Sequence, residues 1–386
     1  MSEQRRAIVV GAGIGGLAAA IGLRRVGWDV VVYEQTVAPR PVGAGISLWS
    51  NARRALAWLG VDDAVGAHGV TRPGGGVRTS SGRWLSDSVG GNLLTSEEVS
   101  LVMVHRADLH AALLAALPAE VVRFDSAVEK IEESATEVTV RLVAPNASRT
   151  ATADVLVAAD GVWSGCRSQL WPSAFRPRYA GFTAWRGVTD GSFPLATQSQ
   201  TMGPAAEFGL VQLLDGRVYW FATGNDPEGA RTSDERDEVL ARFGSWHSPI
   251  RAVIEATSPA AVLRHDIYRL TRPYPSFVCD RVVLLGDAAH AMLPNLGQGG
   301  CLALEDAVTL AHALDSSADV PSGLRAYDAA RRPRTQTVAA MSDQTAKLAQ
   351  LRHPLLTTLR AAAIRATPAS VVIKTLRRAT DWHPPS

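Results

Sequence analysis

The sequence predicts an α/β protein in which a parallel sheet flanked by helices is interrupted by a mainly antiparallel sheet and followed by C-terminal helices. Three observations support this fold class. An apolar strand, a glycine-containing turn and a helix follow one another at residues 7–25 and again at residues 282–308. From about residue 172 to 275, short aromatic and β-branched runs alternate with turns, as in antiparallel sheets. Residues 322–351 and 355–378 then predict helix.

The N-terminal stretch has the pattern of a Rossmann-type dinucleotide-binding turn. Residues 7–10 predict a strand, the letters GAGIGG follow at 11–16, and an Ala- and Leu-rich helix comes next. Gly11 permits the tight turn, Gly13 lets a pyrophosphate approach the backbone, and Gly16 lets the helix pack closely on the strand. The predicted cofactor-binding residues of this turn are Gly11, Gly13, Ile14, Gly15 and Gly16.

A carboxylate follows the second predicted strand, residues 29–33. Glu34 can there accept hydrogen bonds from an adenosine ribose and would repel a 2′-phosphate. A second glycine-rich turn, PVGAGIS at 41–47, comes where a plain NAD dehydrogenase would continue its alternation of strands and helices. This second backbone-lined surface favours a cofactor with a large planar ring. The residues predicted beside that ring are Gly43, Gly45 and Ile46.

The stretch 281–307 has a similar organisation. An apolar strand ends in Gly286 and Asp287, which places a carboxylate at the strand end, where open α/β sheets bind ligands. After Pro294, the letters GQGG at 297–300 open a helix whose first N–H groups suit an anion or a polarised carbonyl. Taken alone, this stretch could also be a structural loop. The predicted cofactor-binding residues are Gly286, Asp287, Pro294, Gly297, Gln298, Gly299, Gly300 and Cys301.

Two further charged residues stand where a ligand could use them. Arg106 lies in the first turn of a helix predicted over 104–117, where a cation gains nothing from the helix dipole. An anionic ligand such as a pyrophosphate would explain it, with an ordinary surface arginine as the alternative. Asp160 and Gly161 follow the predicted strand 153–158, so a carboxylate again ends a strand.

Composition narrows the class of protein. Lys and Arg number 39 and Asp and Glu 37, so the formal net charge is +2, and no basic stripe interleaved with aromatics indicates nucleic acid. Arg331, Arg332 and Arg334 cluster, but a solvated helix face explains them. Three separated cysteines without a CxxC argue against a disulfide framework or a zinc site. With no signal peptide and no run of ~20 apolar residues, we expect a soluble, cytoplasmic protein without an integral membrane segment.

Three stretches together resemble one family. They are GAGIGG at 11–16 with Glu34, VAADGVWSGCR at 157–167, and LLGDAAHAMLPNLGQGGCLALEDA at 284–307. In order and spacing the chain is similar to single-component, class A FAD-dependent monooxygenases with the para-hydroxybenzoate hydroxylase fold. It looks nearest to the zeaxanthin-epoxidase-like, salicylate-hydroxylase-like and urate-hydroxylase-like branches. The resemblance implies FAD as the cofactor and NAD(P)H as the reductant.

The resemblance also implies contacts between FAD and residues at the strand ends. The implied partners are Glu34 for the adenosine ribose, Arg106 for the ribityl–pyrophosphate region, Asp287 for ribityl hydroxyls or pyrophosphate, Asp160 and Gly161 for FAD and NAD(P)H, residues 297–301 for the pyrimidine edge, and residues 43–46 for the flavin ring. NAD(P)H would reduce FAD, and O₂ would form a flavin C4a-hydroperoxide. An aromatic or hydrophobic small molecule would then be hydroxylated or epoxidised.

The implied domain organisation is discontinuous, because the substrate domain interrupts a Rossmann-type FAD-binding domain. The predicted boundaries are 1–72 for the first part of the FAD-binding domain, 73–99 for a substrate-domain hairpin, 100–172 for the second part, 173–276 for the substrate domain, 277–350 for the third part, and 351–386 for C-terminal helices and a tail.

Catalytic residues are harder to assign from the sequence. Some urate-hydroxylase-like relatives have an acidic residue after the proline of the PxxGQGG turn, where this chain has the neutral Asn295. We expect His290 to be a packing or hydrogen-bonding residue. The candidates for a catalytic or substrate-orienting role, each of which could instead be structural, are Arg186, Tyr219 and His247, with His265 as a further one.

The sequence leaves several alternatives open. A flavin-dependent halogenase or reductase of the same superfold is one, although the WxWxIP motif of halogenase relatives is absent. A flavoprotein that binds a metabolite without turnover is another. The sequence does not separate NADH from NADPH, a monomer from a homodimer, or hydroxylation from epoxidation or oxidative decarboxylation.

Overall fold

A computed structural model describes residues 4–39, 44–69, 75–87, 95–96, 99–144, 147–172 and 175–386. The strands in these residues are β1 (Arg6–Val10), β2 (Asp29–Tyr33), β3 (Gly45–Trp49), β4 (Gly76–Thr79), β5 (Trp84–Asp87), β6 (Thr95–Ser96), β7 (Val99–His105), β8 (Val122–Arg123), β9 (Ala127–Glu133), β10 (Val138–Ala144), β11 (Ala147–Ala153), β12 (Val155–Ala158), β13 (Arg178–Val188), β14 (Ser199–Gly203), β15 (Ala206–Gln212), β16 (Val218–Gly224), β17 (Leu263–Arg269), β18 (Val278–Cys279) and β19 (Val282–Leu284). The helices are α1 (Ile14–Arg25), α2 (Ser50–Leu59), α3 (Asp62–Gly66), α4 (Arg106–Ala115), α5 (Gly165–Leu170), α6 (Glu235–Phe243), α7 (Ile250–Glu255), α8 (Asp287–His290), α9 (Gly299–Ser316), α10 (Val320–Ala349), α11 (Pro354–Ala366) and α12 (Ala369–Thr380).

A six-stranded sheet forms the first core. Its order is β18-β19-β12-β1-β2-β8, and all neighbours run parallel except β18 against β19. Every residue of β12 and β19 is buried, as in parallel sheets covered on both faces. Helix α1 packs against α9, and a Cβ on Gly22 would come within 3.2 Å of the Ala311 side chain, so glycine permits this close approach. The predicted parallel sheet is confirmed.

A seven-stranded sheet forms the second core, in the order β17-β13-β16-β15-β14-β4-β5. It is antiparallel except where β4 runs parallel to β14. One face is apolar and packs Trp185, Phe208 and Trp220 against residues of α6 and α7. Because successive side chains of a strand alternate between faces, their sequence neighbours lie on the other face. We call this opposite face the inner face of the sheet.

Two three-stranded sheets complete the strand pairing in the described part of the chain. One has the order β11-β10-β9 and the other the order β3-β7-β6. The β4–β5 hairpin comes from the predicted segment 73–99 and pairs with the seven-stranded sheet. The boundaries between the six predicted segments remain predictions.

Three sequence-based expectations differ from the structure. The helix expected over 104–117 starts at Arg106, because the two residues before it end β7. The helical stretch expected over 355–378 is two helices, because Pro368 lacks the N–H that a continuing helix would need. The region between β16 and β17 also contains α6 and α7, which cover one sheet face. Within the described ranges, no helix is both long and apolar enough to cross a bilayer.

Candidate functional site

The carboxyl ends of β1, β12 and β19 lie at one edge of the six-stranded sheet, because these strands run parallel. The turns that follow them carry the glycine turn 11–16, Asp160, and the pair of Gly286 and Asp287. Ligands of open α/β sheets bind at this edge. Three of the predicted cofactor-binding segments therefore converge.

The turn 11–16 requires glycine at two positions. Gly11 has a φ of +100°, and a Cβ there would lie 2.6 Å from the Ala159 oxygen, while a Cβ on Gly16 would lie 1.9 Å from the Gly11 oxygen. A Cβ on Gly13 would meet no atom of the described residues within 4 Å, and Gly13 precedes α1 without a side-chain cap. The first N–H groups of α1 therefore face a cradle that suits a pyrophosphate.

Glu34 fixes the same turn. Its Oε2 accepts a hydrogen bond from the Ala12 N–H at 2.8 Å, and its Oε1 accepts one from the Thr36 N–H at 2.8 Å. The carboxylate thus lies beside the glycine turn, at the position expected for a ribose. The buried Ile14 and the tightly packed Gly15 offer only backbone to a ligand.

Asp160 contributes an unsatisfied carboxylate oxygen to this edge. Its Oδ2 accepts a hydrogen bond from the Cys166 N–H at 3.0 Å. Its Oδ1 is buried and has no hydrogen-bond partner among the described residues. Because buried carboxylate oxygens are almost always hydrogen-bonded, a ligand with hydroxyl or amide donors fits here.

Asp287 faces the turn that precedes α9. It is the exposed first residue of α8, and its Oδ1 lies 3.9 Å from where a Cβ on Gly299 would be. Gly297 has a φ of +62°, and a Cβ on Gly300 would come 2.9 Å from Ile46. Helix α9 begins at Gly299 without a side-chain cap, so its first N–H groups can meet a flat ligand.

Two predicted cofactor-binding side chains of this turn point into the protein. Gln298 is 1% exposed and accepts a hydrogen bond from Asn51 Nδ2 at 2.9 Å. Cys301 is buried, and burial raises the pKa of its thiol to about 12. Only their backbone groups can contact a cofactor, which agrees with the backbone role implied for 297–301. Gly43 lies outside the described residues.

A buried ionic cluster holds this turn, and the sequence interpretation missed it. Asp306 accepts hydrogen bonds from the Gly286 N–H at 3.1 Å, from His290 Nε2 at 2.6 Å and from Arg331 Nε at 2.7 Å. Arg331 also contacts Glu305 at 2.7 Å and is 1% exposed, so the expected solvated arginine face is wrong at this residue. Burial alone would raise the pKa of Asp306, but interactions with His290 and Arg331 lower it to about 2. The hydrogen-bonding role expected for His290 is confirmed.

A cavity of about 460 Å³ opens between the two cores. Arg186 and His265 line it from the inner face of the seven-stranded sheet, and Asp287 and Pro294 line it from the opposite side. Arg106 begins α4 close by, where Asp287 attracts its guanidinium and Arg186 repels it. The cavity therefore joins predicted cofactor-binding residues to predicted substrate-orienting ones.

Three candidate residues meet on the inner face of the sheet. Arg186 Nη1 lies 3.4 Å from His265 Nδ1, and the Arg186 guanidinium is close enough to the Tyr219 hydroxyl to lower the pKa of that hydroxyl. Burial raises the pKa of Tyr219, and Arg186 offsets this only in part. Burial lowers the pKa of His265, and Arg186 and Arg106 lower it further, so the neutral imidazole can accept the Arg186 N–H. The Tyr219 ring lies against Gly45, where a Cβ would come 2.5 Å from it.

The structure does not bring His247 to this cluster. Its Nε2 lies 2.8 Å from Thr201 Oγ1, and its Nδ1 lies 2.7 Å from the Ser248 carbonyl oxygen. Thr201 belongs to β14, which is three strands from β13 in the sheet order. Three strand spacings amount to about 14 Å, so His247 lies away from Arg186 and serves the packing of the sheet.

Glu207 is a site residue that the sequence interpretation missed. It lies in β15, is 2% exposed, and belongs to the inner face because the next residue, Phe208, packs on the apolar face. Its Oε2 accepts a hydrogen bond from Asn295 Nδ2 at 3.3 Å. The Glu207 carboxyl therefore contacts Asn295, the neutral residue at the turn position that is acidic in some urate-hydroxylase-like relatives.

These features together fit FAD. The 11–16 cradle suits its pyrophosphate, and the unsatisfied oxygen of Asp160 suits one of its hydroxyl or amide donors. The uncapped first N–H groups of α9, beginning at Gly299, suit the edge of its flat ring.

Comparison with known proteins agrees with this geometry. Residues 4–342 match a family described as FAD binding domain. The chain is 37% identical over 380 residues to the aurachin C monooxygenase/isomerase of Stigmatella aurantiaca, which covers 98% of each chain. It is 34% identical over 349 residues to a FAD-dependent urate hydroxylase of Klebsiella pneumoniae, covering 86% of this chain and 87% of that protein.

A solved structure extends the likeness to three dimensions. Klebsiella pneumoniae HpxO complexed with FAD and uric acid matches with a TM-score of 0.89 at 29% identity, over 98% of this chain and 97% of that one. The chain therefore belongs to the FAD-dependent monooxygenases that share this FAD binding domain, and FAD is its cofactor.

Proposed function

We propose that this monooxygenase uses NAD(P)H and O₂ to hydroxylate a small aromatic molecule that carries polar or acidic groups. The cavity between Asp287 and the inner face of the seven-stranded sheet supports the proposal most strongly. When bound, FAD supplies electron transfer from NAD(P)H and activation of O₂. The chain's own residues bind the cofactor, orient the substrate and exclude water.

The cofactor-binding roles follow from positions at the carboxyl edge. Glu34 would receive the adenosine ribose, and the backbone of 11–16 would hold the pyrophosphate. Arg106 and Asp287, whose charges attract each other, would hold the ribityl–pyrophosphate region. The first N–H groups of α9 would stabilise negative charge on the reduced ring.

Arg186 and Tyr219 would orient the substrate. A guanidinium donates well to a carboxylate, phenolate or carbonyl oxygen, and a tyrosine hydroxyl with a raised pKa stays protonated and can donate. Arg186 and Arg231 line the cavity together with Asp266 and Asp287, and this charged lining favours a polar aromatic molecule over an apolar hydrocarbon. This favours hydroxylation of a ring over epoxidation of an alkene.

The first test is the cofactor and the product. Purified protein should be yellow and should release FAD on denaturation. NAD(P)H oxidation is then followed with uric acid, aurachin C and salicylate as probes, and oxygenated product is separated from hydrogen peroxide by mass spectrometry. Consumption of NAD(P)H without oxygenated product from any probe would contradict hydroxylation of this class, and product formed only with halide would show a halogenase.

A variant tests the orienting role of Arg186. Arg186→Met should raise KM by about 10-fold or more, because a charged hydrogen bond to the substrate is lost. The control is Arg251→Met, which removes a guanidinium paired with Glu255 on α7, where it lies outside the cavity lining. Equal KM values for both variants would remove Arg186 from the substrate site.

The setting of the enzyme is also a proposal. The thiols of Cys166, Cys279 and Cys301 are free, which supports a reducing cytoplasm. The proposed partners are the aromatic substrate and O₂, with no nucleic acid, and the protein would act as a monomer or homodimer. Size-exclusion chromatography with light scattering would distinguish the two assemblies.

A further inference from the structure

Glu207 is a buried carboxyl to which the proposed function assigns no role. Its hydrogen-bond donors are all neutral groups. Gln200 Nε2 donates to Oε1 at 2.9 Å, while Asn295 Nδ2 and Thr223 Oγ1 donate to Oε2 at 3.3 and 3.5 Å. Burying a carboxylate among neutral donors is costly, so its place on the inner face requires an explanation.

No cation in the described part of the chain forms an ion pair with this carboxyl. The charged group that faces it is Arg360 of α11, whose guanidinium donates to three backbone carbonyl oxygens instead. Burial raises the pKa of Glu207, and its hydrogen bonds and Arg360 offset this only in part. A carboxyl whose pKa moves toward neutral pH is suited to accept and release a proton.

Asn295 connects this carboxyl to the cavity. It lies in the Pro294–Leu296 turn, next to the cavity-lining Pro294 and shortly before α9. Its Nδ2 donates to Glu207, and its Oδ1 is buried without a hydrogen-bond partner among the described residues. Rotation of the amide exchanges these two atoms, so Asn295 can donate to an ionised Glu207 or accept from a protonated one. The pair can therefore hydrogen-bond in both protonation states.

We propose that Glu207, positioned by Asn295, accepts the ionisable proton of the substrate. The inference rests on the proposed function, because it requires an aromatic substrate with an acidic O–H or N–H group. In the step, the O–H or N–H bond breaks, its electron pair stays on the substrate heteroatom, and the proton bonds to a carboxylate oxygen of Glu207. The anion is more electron-rich and so more reactive toward oxygen transfer. This role assigns the substrate to phenols, hydroxylated heteroarenes or imides.

Glu207→Gln tests the step itself. The variant keeps the shape of the side chain, and its amide can donate to Asn295 Oδ1 after rotation, so it should fold and bind FAD. With a probe that the wild type hydroxylates, product formation should fall by about 100-fold or more, and the acidic limb of the pH–rate profile should disappear. The matched control is Glu255→Gln, which changes an exposed carboxyl on α7 and should leave both unchanged.

The two proposals fail in different ways. If the proposed function is wrong, the wild type itself forms no hydroxylated product. If only Glu207 is misassigned, the wild type forms product and Glu207→Gln forms it at the same rate with the same pH profile. If both proposals hold, Glu207→Gln still oxidises NAD(P)H but releases hydrogen peroxide.

A second readout needs no substrate. Because the pKa of Glu207 is raised in the folded protein, its ionisation destabilises the fold as pH rises through that value. The wild-type Tm should therefore fall relative to that of Glu207→Gln as pH rises from 5 to 8, by roughly 2 °C. A carboxylate needed only for stability would give the opposite sign and would overturn the proposal.

Asn295→Asp tests the pair from the other side. A second carboxyl beside Glu207 would raise the apparent pKa of the pair, because two adjacent carboxylates resist ionising together. The acidic limb of the pH–rate profile should move to higher pH by about one unit or more. An unmoved limb in a folded, FAD-bound variant would show that Asn295 does not position the proton acceptor.

Discussion

Asp306 and Glu207 are both buried carboxyls that contact or support the segment from Gly286 to α9, yet their surroundings differ. Asp306 is paired with His290 and Arg331, and these partners overcome the effect of burial and lower its pKa to about 2. Glu207 has only neutral hydrogen-bond donors, and burial raises its pKa. The same side-chain chemistry is thus fixed in its charged form at one site and left able to change its charge at the other.

The difference separates a structural role from a chemical one. A carboxylate with a buried cationic partner keeps its charge, and Asp306 holds the Gly286 turn in place. A carboxyl without them costs stability at neutral pH but can exchange a proton with a ligand. Buried acids near a cavity can be sorted by whether a cation accompanies them.

The largest expected effect comes from removing the cation of the structural cluster. Arg331→Met should lower the free energy of unfolding by about 3–5 kcal/mol, because Glu305 and Asp306 would remain buried with less compensation. Urea denaturation at neutral pH measures it. The matched control is Arg332→Met, which removes a partly exposed i,i+4 pair with Asp328 and should cost at most about 1 kcal/mol. Equal losses of unfolding free energy in the two variants would show that the buried cluster contributes no more to stability than a partly exposed ion pair.

Lowering the pH should destabilise the buried ionic cluster around Asp306 but not the surroundings of Glu207. The folded pKa of Asp306 lies below its unfolded value, so its contribution is present above about pH 4 and lost as pH falls toward 2. The lowered pKa of Asp306 corresponds to about 2 kcal/mol of stabilisation of the folded state. Asp306→Asn should therefore lower stability by about 2 kcal/mol at pH 7 and remove this part of the acid dependence. Unfolding measured between pH 2 and 7 would contradict this if both proteins lost stability in parallel.

The sequence predicted the backbone of the site better than its buried charges. Glycine at positions 11, 16 and 297 follows from local geometry, since a Cβ would clash or the backbone takes a positive φ. Asp160 and Asp287 follow from their position directly after apolar strands. Such features depend on a few neighbouring residues, so a single sequence reveals them.

The buried charges depend on packing between distant segments. Arg331 meets Asp306 only because α10 packs against α9, and the sequence alone suggested a solvated arginine. Glu207 was missed because its burial in β15 depends on contacts with Gln200, Thr223 and Asn295, which are distant in sequence. An acidic residue inside a strand whose neighbours are buried was the available signal.

An exposed carboxylate extends the comparison to ligand binding. Asp287→Asn should weaken FAD binding by about 10-fold or more, because hydrogen bonds to a charged group contribute roughly 1.5–3 kcal/mol. The stability of the FAD-free protein should change by less than about 0.5 kcal/mol, since Asp287 is exposed. Fluorescence titration with FAD measures the first effect and thermal unfolding the second. Full retention of FAD affinity would remove Asp287 from the cofactor site.

The smallest expected effects come from two histidines in contact with the seven-stranded sheet, one beside the cavity and one away from it. His265 lines the cavity beside Arg186, so His265→Ala should raise KM roughly 2- to 10-fold with little change in Tm. His247 hydrogen-bonds Thr201 and the Ser248 carbonyl, so His247→Ala should instead lower the free energy of unfolding by about 1–2 kcal/mol and leave turnover unchanged. A His247→Ala enzyme with normal Tm and reduced kcat would return His247 to the catalytic candidates. Because Thr201 pairs with Phe208 of the apolar face, the substrate would then have to bind on the side of the seven-stranded sheet opposite the inner face.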